Sequence, residues 1–184
     1  GDHEDERAWL HRRDVRDAAI HLEPGEPEIP EVASSELIFE NKVIRLDRDM
    51  INSARFLKSH ELSTGRLGAT GFCWGGGMTN RLAVELGSDL DAGVPFYGAA
   101  PASEDVDRIE AAMLVVYAGS DERINAMWPD YQAALERNAV EYEMEMYAGT
   151  LHGFHNNSTP RYNETAAGLA WNRTIGFFRD HLTG

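Results

Sequence analysis

Thr70-Gly71-Phe72-Cys73-Trp74-Gly75-Gly76-Gly77 holds the only cysteine of a 184-residue chain, framed on both sides by glycine. Ahead of it, Arg66-Leu67-Gly68-Ala69-Thr70 is short and weakly apolar, as a buried strand is. Behind it, Met78 to Leu86 reads as a helix that Gly87 ends. A strand entering a helix through Gly-x-Cys-x-Gly is the thiol form of a nucleophile elbow, where the bend is so tight that flanking side chains would collide. A lone cysteine is ordinarily a small buried apolar group. At a helix N-terminus, however, unpaired N–H groups and the helix dipole favour a thiolate, so the frame predicts an acidified, reactive Cys73.

Composition narrows the company such a site keeps. A net charge of −14, from 31 acidic and 17 basic residues, argues against nucleic acid or an anionic membrane as partner. One cysteine excludes an intramolecular disulfide. No apolar run reaches the length of a membrane span and no signal-peptide pattern opens the chain, so a cytoplasmic location is expected. The start, Gly1-Asp2-His3-Glu4-Asp5, lacks a methionine and reads as cut from something longer.

Along the chain, Trp9, Val15, Ala19 and Leu22 recur at roughly helical spacing in a charged segment, and Pro24, Pro27 and Pro30 mark a loop. Val43, Leu46, Met50, Ala54 and Leu57 then fall three and four apart, predicting one apolar face of a helix over Glu36 to Lys58. Ala92 to Gly98 is a strand candidate, weakened by Pro95. Ala112 to Tyr117 is a continuous, branched, buried strand that ends in the polar loop from Ala118 to Arg123. Trp128 to Asn138 reads as a helix, Glu141 to Tyr147 as an alternating edge strand, and Tyr162 to Leu182 as a closing helix. Strands alternating with helices predict an α/β fold with a mainly parallel sheet flanked by helices, and ligands at the carboxyl ends of its strands. We read residues 1–184 as one domain: a charged, proline-rich segment over 1–35 and a core over 36–184.

A thiol nucleophile needs a base, and the base needs an acceptor that fixes its tautomer. Asp121 follows one strand and His152 the next, giving the order Cys73, Asp121, His152, which is the α/β-hydrolase order of nucleophile, acid and histidine. Taken singly, Asp121 is a loop carboxylate and His152 a loop histidine; their order and placement carry the reading. His152 and His155 are three apart, but the loop offers no further ligand spacing, so no metal is expected. Arg123, beside Asp121, is a candidate for gripping a substrate carboxylate.

Gly71-Phe72-Cys73-Trp74-Gly75-Gly76, Phe96-Tyr97-Gly98, Tyr117 to Ile124 and His152-Gly153-Phe154-His155-Asn156 together resemble the dienelactone hydrolase (carboxymethylenebutenolidase) family. The resemblance runs from about Glu36 to the C-terminus. It implies thiol-dependent hydrolysis of an ester or lactone through an acyl-thioester, without cofactor, with Cys73 as nucleophile, His152 as base, Asp121 as orienting acid and the Trp74 N–H as an oxyanion donor. It also implies that the family's first strands, a second oxyanion donor, a glutamate controlling the thiol and a carboxylate-gripping arginine have no counterpart in Gly1 to Glu31. A truncated α/β-hydrolase fold follows, with an open elbow-strand edge that a second copy of the chain would cover as a homodimer. Two rivals are a binding or assembly module left from a hydrolase, and a glutamine-amidotransferase-like thiol enzyme, which usually carries a glutamate where Phe154 stands.

Overall fold

The computed structural model describes residues 46–183. The helical spacing before Leu22 and the proline loop lie outside the described residues. Nearly all that is described falls in one compact unit, Asp47–Gly184. Its elements, in order, are helix α1 (46–59), β1 (Gly68–Phe72), α2 (Trp74–Leu86), β2 (Ala92–Phe96), β3 (Ala112–Ala118), the short α3 (Glu122–Asn125), α4 (Trp128–Arg137), β4 (Tyr142–Tyr147) and α5 (Glu164–Leu182).

The four strands form one parallel sheet in the order β1-β2-β3-β4. β3 shows why the sheet is covered on both faces. Met113, Val115 and Tyr117 enter a layer with Ala54 of α1, Leu82 of α2 and Leu135 of α4. The alternate residues Ala112, Leu114 and Val116 enter a second layer beneath Ala166, Ala170 and Phe177 of α5. A strand buried on both sides must be apolar at every position, as β3 is. The elbow strand starts at Gly68 and runs to Phe72, and α2 begins directly after Cys73, four residues earlier than the sequence pattern marks.

Pro95 sits inside β2, in the middle of the sheet, where a missing N–H is usually excluded. β2 accommodates it by pairing with β3 at Ala92, Gly93 and Phe96 while leaving Val94 and Pro95 out of that ladder. The face of α1 differs from the expected one. Ile51 and Ala54 pack on the core, whereas Met50 and Leu57 are exposed. A polar anchor accompanies that rotation: Lys58 Nζ donates to Asp89 O at 2.7 Å and reaches Asp91 at 3.3 Å. Asp91 also accepts from the Leu67 N–H at 2.8 Å and from Arg66 at 2.7 Å. Partial burial works to raise its carboxyl, but the Leu67 N–H, Arg66 and Lys58 outweigh it and hold the group below the usual carboxylate range.

The helix and strands meet backbone to backbone at the elbow. A Cβ on Gly71 would lie 2.2 Å from the Gly75 carbonyl oxygen, and one on Gly76 would lie 2.5 Å from the Phe96 carbonyl oxygen. A Cβ on Gly98 would come within 2.2 Å of the Gly76 carbonyl carbon, which accounts for the glycine after Phe96-Tyr97. Gly75, by contrast, faces open space. Gly71→Ala is therefore expected to cost at least about 2 kcal/mol, because backbone atoms cannot step aside as a side chain does. Gly75→Ala is expected to be neutral or to stabilise by up to about 1 kcal/mol, since alanine is the better helix former. The shift in urea midpoint of the two variants checks both.

Candidate active site

Every residue singled out for chemistry stands at the carboxyl end of a strand. Cys73 ends the elbow with φ 57° and ψ −116°, a conformation that side-chain-bearing residues rarely adopt. Its N–H donates to Phe96 O at 3.1 Å and its carbonyl accepts from the Gly77 N–H at 3.1 Å, so the strained residue is tied to β2 and to the first turn of α2. Tyr97, the residue after β2, also has positive φ (36°), and its N–H donates to Val116 O at 2.7 Å.

Asp121 follows β3 and caps α3, its Oδ1 accepting from the Ile124 N–H at 3.4 Å. Its other oxygen, Oδ2, lies 2.5 Å from Nδ1 of His152, which follows β4. Asp121 is 7% exposed, so water competes little for that oxygen. A carboxylate there accepts the Nδ1 hydrogen and leaves Nε2 as the basic nitrogen. The His152 ring also packs against Tyr97 at a centroid distance of 4.9 Å. Cys73 and His152 share the wall of a cavity of about 530 Å³ with Trp74, Tyr97, Arg81 and Arg123. The structure thus brings together all five residues named from the sequence: Cys73, Trp74, Asp121, Arg123 and His152.

On its other side Cys73 borders a second cavity, of about 330 Å³, lined by Phe72, Tyr97, His155, Asn156 and Arg161 among others. Arg161 was not legible in the sequence. It lies nine residues after His152 in an irregular loop, and no spacing marks it. Its charge nonetheless reaches the thiol. Burial pushes the Cys73 thiol up, Arg161 pulls it back down, Asp121 pushes it up again and Arg123 pulls it down, and burial wins. The direction expected from the helix N-terminus is therefore corrected: half-buried sulfur loses more hydration than the two arginines return, and the thiol is pushed up rather than down.

His155 has a different neighbourhood from His152. Its ring lies 5.0 Å from Phe72, 5.5 Å from Phe96 and 5.7 Å from Trp171, and burial holds its pKa below the usual histidine value. The two histidines face different partners, and among the described residues no group of three or more His, Cys, Asp or Glu is placed to hold a metal ion. No helix among them is long and apolar enough to cross a membrane.

A parallel sheet, a strand–Cys–helix elbow, and an aspartate and a histidine on the carboxyl-end loops of β3 and β4 define a protein of the α/β-hydrolase type. More narrowly, the chain belongs to the dienelactone hydrolase family, whose sequence pattern matches residues 10–182 and so begins earlier than the resemblance from Glu36. Protein usf of Aquifex pyrophilus is 32% identical over 150 residues, covering 79% of this chain and 65% of that protein. A human carboxymethylenebutenolidase homolog is 28% identical over 142 residues, covering 76% and 57%. A solved dienelactone hydrolase-like promiscuous phosphotriesterase from metagenomic libraries superposes with a TM-score of 0.67 at 22% identity, over 83% of this chain and 69% of that one, a likeness of fold. The chain spans 50% and 65% of the length of the first curated relatives it matches.

The raised thiol has a kinetic signature. At neutral pH, folded protein is expected to react with iodoacetamide more slowly than free cysteine, and the rate should climb with pH as the thiolate fraction grows. Arg161→Gln removes the larger of the two downward pulls and should move the rise to still higher pH. Stopped-flow alkylation between pH 6 and 10 measures both effects.

Proposed function

We propose that this chain hydrolyses an ester or lactone through Cys73 as nucleophile, His152 as general base and Asp121 as the group that orients the base. The observation that carries the reading is the 2.5 Å contact of Asp121 with His152, on the wall of the cavity that Cys73 also lines. Because the resting thiol is protonated, its proton must pass to His152 Nε2 as Sγ attacks the substrate carbonyl carbon. The carbonyl electrons become an oxyanion beside the Trp74 N–H, one of the orphan donors at the start of α2. Collapse breaks the carbon–oxygen bond of the substrate, and His152 returns the proton to the departing oxygen, leaving an acyl-thioester. Water then attacks that thioester, giving its proton to His152, and the carboxylic acid departs as the thiol is restored.

Arg123, on the same wall, suits an anionic group on the substrate by bidentate hydrogen bonding. The reaction requires no cofactor. With p-nitrophenyl acetate as substrate, Cys73→Ala and His152→Ala should each remove most turnover, and the double variant little more, because residues that act as a unit are not additive. Asp121→Asn should lose less than either, and His155→Ala should leave turnover unchanged. Losses that add in the double variant overturn the reading.

The partner proposed for the protein itself is a second copy. Among the described residues β1 pairs only with β2, and Phe72 at its end and Trp74 at the start of α2 are 38% and 55% exposed. A twofold dimer meeting at this edge would cover both the strand and the aromatic side chains. Light scattering at micromolar concentration is expected to return twice the chain mass, and a stable monomer would overturn the dimer.

A further inference from the structure

The contact between Asp121 and His152 joins two loops, and neither residue's own element determines where the other lies. Ladder pairing between β3 and β4 ends at Ala118 and Tyr147. Beyond that point the two loops go on bonding to each other. The Gly119 N–H donates to Tyr147 O at 2.9 Å and lies 3.3 Å from Thr150 Oγ1, while the Ser120 N–H donates to Thr150 O at 2.9 Å. The Thr150 hydroxyl in turn donates to Tyr147 O at 2.7 Å, closing a turn that Gly149 makes possible at φ +71°. Thr150 is 2% exposed, so its hydroxyl has no water to fall back on. Gly119 is the notch: a Cβ there would lie 2.8 Å from Tyr147 O and 3.0 Å from Ala148 Cα.

We infer that the Thr150 hydroxyl is the positioning group that holds the Asp121 and His152 loops in register, with Gly119 as the residue whose lack of a side chain lets them close. Asp121 comes one residue after Ser120, and His152 two after Thr150, so little slack separates this lock from the pair it sets. Asn125 Nδ2 steadies the same loop from the acid side by donating to Ala118 O at 2.9 Å. Thr150 lines neither of the two cavities that Cys73 borders, so it acts through Asp121 and His152. The inference rests on the hydrolase reading for its kinetic consequence and on geometry alone for its structural one.

Thr150→Val keeps shape and volume and removes the hydroxyl, leaving Tyr147 O with one donor fewer. The expected result is a loss of tenfold or more in kcat with KM within twofold, as a small misplacement of a proton-transfer pair produces. The low-field proton resonance of the His152 Nδ1–H, identified by its absence in His152→Ala, should shift or broaden away. Thr150→Ser should restore both, and Gly119→Ala, which wedges the loops apart, should repeat the loss if Thr150→Val folds poorly. A resonance unshifted in Thr150→Val, or a Thr150→Ser variant that falls as far as the valine, overturns the inference. Turnover retained in Cys73→Ala would instead overturn the hydrolase reading, and the resonance would still decide the role of Thr150.

Discussion

Glycine-to-backbone contact at the elbow is the constraint on which the rest of the structure depends. Gly71 against Gly75, and Gly76 against Gly98, bring α2 as close to β1 and β2 as backbone atoms permit. That approach fixes the turn that forces Cys73 to positive φ, and it draws Tyr97 into a strained conformation of its own. Strain of this kind persists only where the surroundings leave no alternative. Here the surroundings are hydrogen bonds from Cys73 to β2 and from Tyr97 to β3, so the three strands and the helix hold the two residues jointly.

The electrostatics of the thiol follow from this placement. Partial burial removes water from the sulfur on the sides that the two cavities leave closed, and the nearby Asp121 adds a charge of the wrong sign for a thiolate. Arg161 and Arg123 oppose both, one lining each cavity. A protonated resting thiol is less open to oxidation and stray alkylation than a standing thiolate. The Asp121 carboxylate engages Nδ1 of His152 and leaves Nε2 as the nitrogen that the proposed proton transfer from Cys73 would use.

The sequence was most readable where local chemistry and global fold agree. The elbow glycines, the continuous apolar run of β3 and the alternation of strands with helices all pointed to the arrangement observed. So did the order of Cys73, Asp121 and His152, because each follows a strand and parallel strands deliver their ends to one edge. The face of α1 differs from the expected one because Ile51 and Ala54 take the core side, while Met50 and Leu57 stay exposed among the described residues and Lys58 pairs with Asp91. Pro95 in β2 misled for another reason: one missing donor is tolerable when the neighbouring ladder skips it. Arg161 and the direction of the Cys73 shift were out of reach, since both depend on which loops fold back over the sulfur.

Part of the wall of the larger cavity comes from the connection between β2 and β3, where Ala99, Ala100, Pro101 and Ala102 line the space. That wall is held from α2, Asn80 Nδ2 donating to Ala99 O at 2.8 Å. Within this connection, Ala99 is thus anchored to α2 while Tyr97 packs on the His152 ring. Larger side chains in place of these small ones would narrow the cavity from a side that the Asp121–His152 contact does not use.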